Sequence, residues 1–312
     1  MTARVSIVST VRDAARDLQR FANYHLNAGI EAILLYADAP AEWTDAMSGS
    51  SRVHIVMCDD EYWAARGGRP ANLQRRQAIN ANDAFGRARE LGFDWMMHID
   101  QDELVVARER TIAELLAERT RQAVRFELRE AIPTRVLYES RFDAQDFKIK
   151  VPESRLVPYR NRPELSRLFF EGGFFRGHSD SKCAYRVRDF EGRVGVHGPL
   201  GTDRPVGHTP DLLLLHFDCI GESDWRTKWL LRRENVGADG MRANRKVQMN
   251  LFNASLGDPE AQSKLYEDIY VVPQEQVDAA IAEGIVESIR LDPDWFAPPQ
   301  APLGIGAGEV HP

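Results

Sequence analysis

Cysteine is scarce in this 312-residue chain: Cys58, Cys183 and Cys219 stand far apart, and none belongs to a C-x-x-C pair. That spacing excludes a disulfide framework and a thiolate zinc site, leaving three buried thiols as the expectation. Long hydrophobic runs are missing as well. No apolar stretch approaches the ~20 residues that a membrane-spanning helix needs, so any membrane contact is peripheral. The opening "MTARVSIVSTVRDAARD" breaks its short apolar run at Arg12 and carries no small-residue cleavage site. It reads as a first strand, and the expectation is a cytoplasmic protein, with at most peripheral contact at the inner membrane face. There is no internal repeat, and no Gly-rich, Lys-containing loop follows "VSIVST". With a pI near 5.7 and no nucleic-acid-binding signature, nucleic acid is not an expected partner.

What is present is an ordinary globular composition, 43% apolar and 28% charged, long enough for one large α/β domain or two smaller ones. The net charge of −7 is unevenly spread: from Gly257 onward there are eleven acids against two bases, whereas Arg119 to Arg167 carries twelve bases against seven acids. A basic middle beside an acidic motif would suit a metal-bridged polyphosphate ligand.

The first hundred residues alternate strand and helix patterns. "RVSIVSTV" reads as a buried strand, "DAARDLQRFANYHLNAG" as an amphipathic helix closed by Gly29, and "EAILLYAD" as a strand ending at Asp38. "SRVHIVMCDD", a helix from about Asn72 to Leu91, and "DWMMHID" repeat the pattern. The expectation is a Rossmann-like α/β fold with a mostly parallel sheet covered on both faces. In such sheets ligands bind beyond the carboxyl ends of the strands, where Thr10, Arg12, Asp38, Asp59, Asp60, Asp100 and Asp102 all fall. Later, "TIAELLAERT" reads as a helix and "AVRFELREAI" as a strand. Phe142 to Arg167 is basic, irregular and Pro-containing, as in segments that cover a site. "CAYRVRDF", "GRVGVHGP" and "DLLLLHF" read as late strands, and "SDWRTKWLLRREN" as a basic amphipathic helix.

The stretch "DWMMHIDQDELVV" runs an apolar strand into Asp100, Asp102 and Glu103. Crowded carboxylates repel, and a hard divalent cation is what makes such crowding favourable. An acidic turn is the plainer explanation, and the strand-end convergence argues for the cation.

Taken together, the motifs resemble a known family. "RFANYHLNAGIEAILLYAD" contains a Y-H-x-x-x-G helix before a strand ending in Asp. "WMMHIDQDEL" is similar to a W-x-x-x-x-D-x-D-E-F signature, with Leu104 in place of Phe. "GHSDSKCAYR" resembles G-H-x-x-G-K-S-x-x-R, with Ser181 for Gly and Cys183 for Ser; "GVHGP" resembles a His-Pro segment. "LLLHFDCIGESDWRTKW" resembles an apolar strand ending in His-aromatic with a Lys twelve residues on, and there Gly221 and Ser223 replace Ser and Glu. These segments, over roughly Val5 to Arg233, resemble the GT-A fold glycosyltransferases, in particular the family 2-like group related to family 92.

The resemblance implies a metal-dependent transferase of the hexosyltransferase type, moving a sugar from a nucleotide-sugar donor, UDP-linked by expectation, to a hydroxyl of a glycan or lipid-linked acceptor. The cofactor would be Mn2+ (or Mg2+), bridging the carboxylates to both phosphates as charge builds on the leaving diphosphate. A nucleotidyltransferase and a catalytically silent nucleotide-sugar-binding protein are the alternatives. The expected organisation is a GT-A domain over 1–256, an acidic helical extension over 257–296 and a disordered tail over 297–312.

Site residues follow. Thr10, Arg12 and Asp38 are expected at the nucleotide; Arg76 matches a position that points toward the diphosphate. Lys182 and Arg186 lie in the G-K-S-x-x-R-like segment, where cations would neutralise phosphate oxygens. Asp100 is expected at both nucleotide and metal, with Asp102 and His216 completing the metal shell and His197 and His208 in reserve. Glu171 is named first as general base, since partial burial after an apolar run would raise its pKa, with His178 and Asp180 as other candidates. His25 is read as structural, as are Trp225 and Trp229, the other role for the two indoles being a membrane surface.

Overall fold

The computed structural model describes residues 2–12, 15–38, 47, 50–235 and 243–299. Strand β1 (Val5–Val11) is buried along its whole length, as its unbroken apolar pattern predicts for a central strand. Helix α1 (Ala15–Asn27) follows and ends before Gly29, whose φ of +91° is a left-handed turn that glycine adopts without strain. Then come β2 (Ala32–Ala37), β3 (Val53–Met57), the short α2 (Asp60–Ala64), the long α3 (Leu73–Glu90) and β4 (Trp95–His98). The helix expected from Asn72 to Leu91 is α3, with Asn72 as its cap, accepting from the Arg75 N–H at 3.0 Å.

β1 pairs in parallel with β2 on one side and β4 on the other, and β2 with β3. The side chains alternate between the two faces. Ile7, Ile33 and Leu35 enter the core beneath α1, whereas Val8, Leu34 and Tyr36 enter a second core beneath α3. His25 is buried inside α1, donating from Nδ1 to Phe21 O (2.9 Å) and accepting at Nε2 from Val105 N (3.2 Å), the structural role read from sequence.

Beyond β4 the sheet becomes mixed. The chain runs through β5 (Glu103–Ala107), α4 (Ile112–Ala117, opened by a Thr111/Glu114 capping box), β6 (Ala123–Ala131), β7 (Asp146–Ile149) and α5 (Glu153–Leu156). Next are β8 (Cys183–Arg186), a small hairpin of β9 (Arg193–Val194) and β10 (Pro199–Leu200), and the long β11 (Gly207–His216). β8 lies antiparallel between β4 and β6, while β11 lies parallel to β6 and antiparallel to β5. The result is a mixed α/β fold with a curled central sheet flanked by helices, Rossmann-like in its parallel first half.

Two expectations about the second half need correction. The 142–167 stretch does not merely cover a site: it supplies β7 and buries Leu156 and Leu165 against Val272, Val277 and Ile285. The segment 257–296 is not only helical. After α6 (Glu222–Asn235), α7 (Ala243–Ala254), α8 (Pro259–Tyr270) and α9 (Gln274–Ala282) it forms β12 (Val286–Ser288), which pairs with β7. Phe296 packs on Tyr24 and Phe142, and its carbonyl accepts from Asn23. Of the tail expected from 297, residues 300–312 lie outside the described residues. Trp225 and Trp229 are buried among Phe252, Tyr266 and Tyr270, so neither indole faces a membrane. No helix among the described residues is long and apolar enough to cross one.

Candidate active site

The turn from β4 into β5 carries the D-x-D corner at the carboxyl end of the parallel strands. Its three acids meet three different environments. Asp100 accepts from Gln77 Nε2 (2.7 Å), projected by α3, and from Lys182 Nζ (2.8 Å), projected from the start of β8. Asp102 accepts from Lys228 Nζ at 2.7 Å, and its Oδ2 lies 3.8 Å from His216 Nε2 at the end of β11. Glu103 is fully buried; its Oε2 accepts from the Asp100 N–H (2.7 Å), and its Oε1 lies 3.5 Å from His178 Nε2 without the alignment of a hydrogen bond.

Burial alone would push all three carboxyls up. For Asp100 the charge of Lys182 outweighs it, and for Asp102 the charges of Lys228 and His216 do, so both stay below the ordinary carboxylate range. For Glu103 burial, with the charge of Asp100, outweighs the opposing Lys182 and His178 and leaves the carboxyl raised. Burial and the neighbouring His178 push the His216 imidazole down to about 3.

A fourth carboxylate, Asp218, was not singled out from sequence. It sits two residues past His216 and gathers Arg232 (2.9 Å), Lys228 (3.2 Å) and Arg245 (3.4 Å). The signal was present in "HFDCIGESDWRTKWLLRR": helix α6 returns its Lys228 and Arg232, one turn apart, to the strand end that precedes it.

These groups surround a cavity of about 860 Å³, lined by Thr10, Arg12, Arg76, Gln77, Asp100, Asp102, His178, His197, His216, Asp218, Lys228, Arg232 and Arg245 among others. Thr10 accepts from Asn80 (3.0 Å), and the Arg12 N–H donates to Gln101 (3.3 Å). Asp38 stands behind the wall: buried, it accepts from Arg76 Nε and Arg69, both at 3.0 Å, and so fixes the Arg76 guanidinium that lines the cavity. Lys182 is likewise inside, reaching the cavity only through Asp100.

Three expected residues are elsewhere. Arg186 pairs with Asp189 (2.7 Å), and in the antiparallel β4–β8 register it faces Trp95, at the end of β4 away from the acids. His208 pairs with Glu127 near the start of β11, whereas His216 ends that strand. Glu171 is exposed in the turn closed by the Phe170–Gly173 bridge, with φ +47°, and does not line the cavity; the partial burial expected for it is not found. Asp180 is exposed too, contributing its carbonyl to His178 Nδ1 (2.6 Å).

No family model matches the chain, and no curated protein matches it. Solved structures align with parts of it. A protein described as a glucose-1-phosphate thymidylyltransferase from Bacillus anthracis, solved with sucrose, aligns with 42% of this chain at 12% identity and a TM-score of 0.27. The aligned part is 56% of that protein's length, so this chain spans little over half of it. HddC from Yersinia pseudotuberculosis, complexed with GMP-PN, aligns over 69% of this chain and 93% of its own at 8% identity and a TM-score of 0.35. The fold described above stands on its strand order and register.

Proposed function

We propose that this protein is a metal-dependent glycosyltransferase that takes a nucleotide-sugar donor, UDP-linked, and transfers the sugar to a hydroxyl of a glycan or lipid-linked acceptor. The observation that carries the reading is the composition of the D-x-D cavity: the carboxylates Asp100, Asp102 and Asp218 together with the cations Arg76, Lys228, Arg232 and Arg245. A volume of about 860 Å³ is in the range of pockets that enclose a ligand of this size.

Breaking the bond between the sugar's anomeric carbon and the diphosphate oxygen leaves negative charge on the diphosphate. Fixed cations aimed at that charge stabilise it without reorganising at the moment of reaction. Lys228 and Arg232 suit this role. Thr10, Arg12 and the Asp38–Arg76 pair line or support the side of the cavity where the nucleotide would sit.

Asp102, His216 and Asp218 offer ligand atoms within 4.8 Å of one another, so the donor set fits a divalent cation of the Mn2+ or Mg2+ kind. The Lys228 ammonium already lies between the two carboxylates, which marks the spot as one that favours a cation. Such an ion would supply electrophilic charge to the phosphates. Asp100, held by Gln77 and Lys182, belongs in this reading to the nucleotide side rather than to the ion. Glu171 is exposed and is not among the residues that line the cavity, so the base is left unassigned.

A nucleotidyl transfer would use the same charges. The missing Gly-rich loop after β1 favours sugar transfer. Thermal unfolding with UDP, with and without Mn2+, followed by product analysis on UDP-sugars, separates the readings. A metal-dependent rise in melting temperature with UDP release supports this one. Pyrophosphate release from a nucleoside triphosphate and sugar phosphate would replace it by nucleotidyl transfer, and binding without turnover would make the protein a silent binder. An unchanged melting temperature at saturating UDP and Mn2+ would overturn the UDP-linked proposal.

A further inference from the structure

Beneath the D-x-D corner, three buried polar atoms converge without an aligned hydrogen bond: Glu103 Oε1 and His178 Nε2, which form a loose ion pair at 3.5 Å, and His216 Nδ1. The ligand atoms that these three residues offer lie within 4.8 Å of one another, and the two imidazoles stack at 4.4 Å. A buried polar atom left unsatisfied costs its desolvation, so His216 Nδ1 beside a stretched carboxylate–imidazole pair needs an explanation.

The far side of each group is anchored so that the free atom faces inward. Glu103 Oε2 is held by the Asp100 N–H at 2.7 Å. His178 donates from Nδ1 to the Asp180 carbonyl at 2.6 Å, which turns Nε2 toward Glu103 Oε1 at 3.5 Å. His216 turns Nε2 toward Asp102 Oδ2 at 3.8 Å, which leaves Nδ1. A histidine that ligates a metal commonly gives its other ring N–H to a carbonyl or carboxylate; His178 does so to the Asp180 carbonyl, and His216 turns its other nitrogen toward the Asp102 carboxylate. The backbone makes room as well: a Cβ at Gly177 would lie 2.7 Å from His216 Cε1 and 3.1 Å from its Nδ1.

We propose that Glu103, His178 and His216 form a binding site for a borderline divalent transition ion, Zn2+ foremost, through Oε1, Nε2 and Nδ1. Two imidazoles and one carboxylate are a ligand set that suits zinc and leaves a fourth position open. His178 and His216 both line the 860 Å³ cavity, so that position faces it. The site shares the His216 ring with the hard-cation set of Asp102, His216 and Asp218, differs from it in Glu103 and His178, and needs no nucleotide. Asp102 acts on it only by orienting the His216 ring.

The test uses the full chain stripped by chelator and titrated with Zn2+ alone by calorimetry, with Co2+ as the visible-absorbing substitute. One Zn2+ should bind per chain, and Co2+ should show the visible absorption of a four- or five-coordinate ion. His178→Ala, at a partly exposed ring, should weaken Zn2+ binding by more than about 100-fold, beyond the ~10 to 100-fold typical of a supporting residue. Asp218→Asn should leave Zn2+ affinity unchanged. Zinc protection of His178 and His216 from carbethoxylation in the unaltered protein, read by mass spectrometry, gives the same answer should a variant fail to fold. No Zn2+ binding, affinity that survives His178→Ala, or affinity lost in Asp218→Asn would each overturn the site. A protein that binds Zn2+ here yet ignores every nucleotide-sugar would refute the function proposed above and leave this site standing.

Discussion

Replacing Lys228 by Met tests how the D-x-D corner tolerates its charge. The ammonium reaches Asp102 (2.7 Å), Asp218 (3.2 Å) and Asp224 (3.5 Å), and its side chain is only 16% exposed. Methionine keeps the length and removes the charge. Asp218 retains Arg232 and Arg245, and Asp224 retains Arg141 at 3.1 Å, so the loss falls on Asp102. Removing one partner of a buried ion pair costs ~3–5 kcal/mol, and the slight exposure of Asp102 argues for about 3. At roughly 2 °C per kcal/mol for a chain of this size, the melting temperature should fall by about 6 °C.

A divalent cation should reverse much of that loss. An ion present at ~100 times its Kd adds about 2.7 kcal/mol to the folded state, comparable to the deficit. In the unaltered protein the ion must displace an ammonium first, so its benefit is smaller. Calorimetric or fluorescence melting with and without millimolar Mn2+ should therefore show a larger metal-dependent rise in Lys228→Met than in the parent. An unchanged melting temperature in the variant, or a deficit that Mn2+ leaves untouched, would refute both the charge argument and the cation position.

Gly177→Ala should weaken Zn2+ binding by at least about tenfold, because the new Cβ collides with the His216 ring that must stay oriented; competition titration with a chromophoric chelator reads this. Arg76→Leu should cost ~3–5 kcal/mol in urea unfolding and abolish UDP-dependent stabilisation, since buried Asp38 keeps only Arg69. Lys148 is buried against Glu130 and Phe174 O, and burial with the charge of Arg176 pushes its ammonium down to about 7. The unfolded chain holds that proton until about pH 10.4, so folded stability should rise as pH climbs from 7 toward 10, by at most ~1.4 kcal/mol per unit. Lys148→Met should remove this slope; parallel slopes in unfolding series at pH 7, 8 and 9 would speak against it.

Much of the parallel half was legible because strand and helix periods are local properties. Ile7 and Val8 point to opposite cores as alternation requires, and α3 falls within a residue of its expected ends. The acids at Asp100 and Asp102 were legible for the same reason: an apolar strand that stops in carboxylates is a local signal. Their partners were legible only in part: Lys182 and His216 were expected at the site through the resemblance, but that Lys182, 82 residues on, would meet Asp100 and Lys228, 126 residues on, would meet Asp102 was not. Arg186 shows how closeness in sequence misleads. It shares a segment with Lys182, but four residues along an extended strand cover roughly 13 Å, and the antiparallel direction of β8 carries Arg186 away from the acids.

Glu103 was hidden differently. In sequence it is one more acid in "DQDE", yet as the first residue of β5 it turns into the core while Asp102 faces Lys228. That alternation is why three neighbouring carboxylates can coexist here. Asp100 is hydrogen-bonded by one lysine and Asp102 by another, and Glu103 is turned inward toward two imidazoles. Charge repulsion that looked like a single problem in the linear sequence is divided by the strand pleat into separate ones. Two have their cation built into the chain, and the third is where an ion from outside the chain has a place.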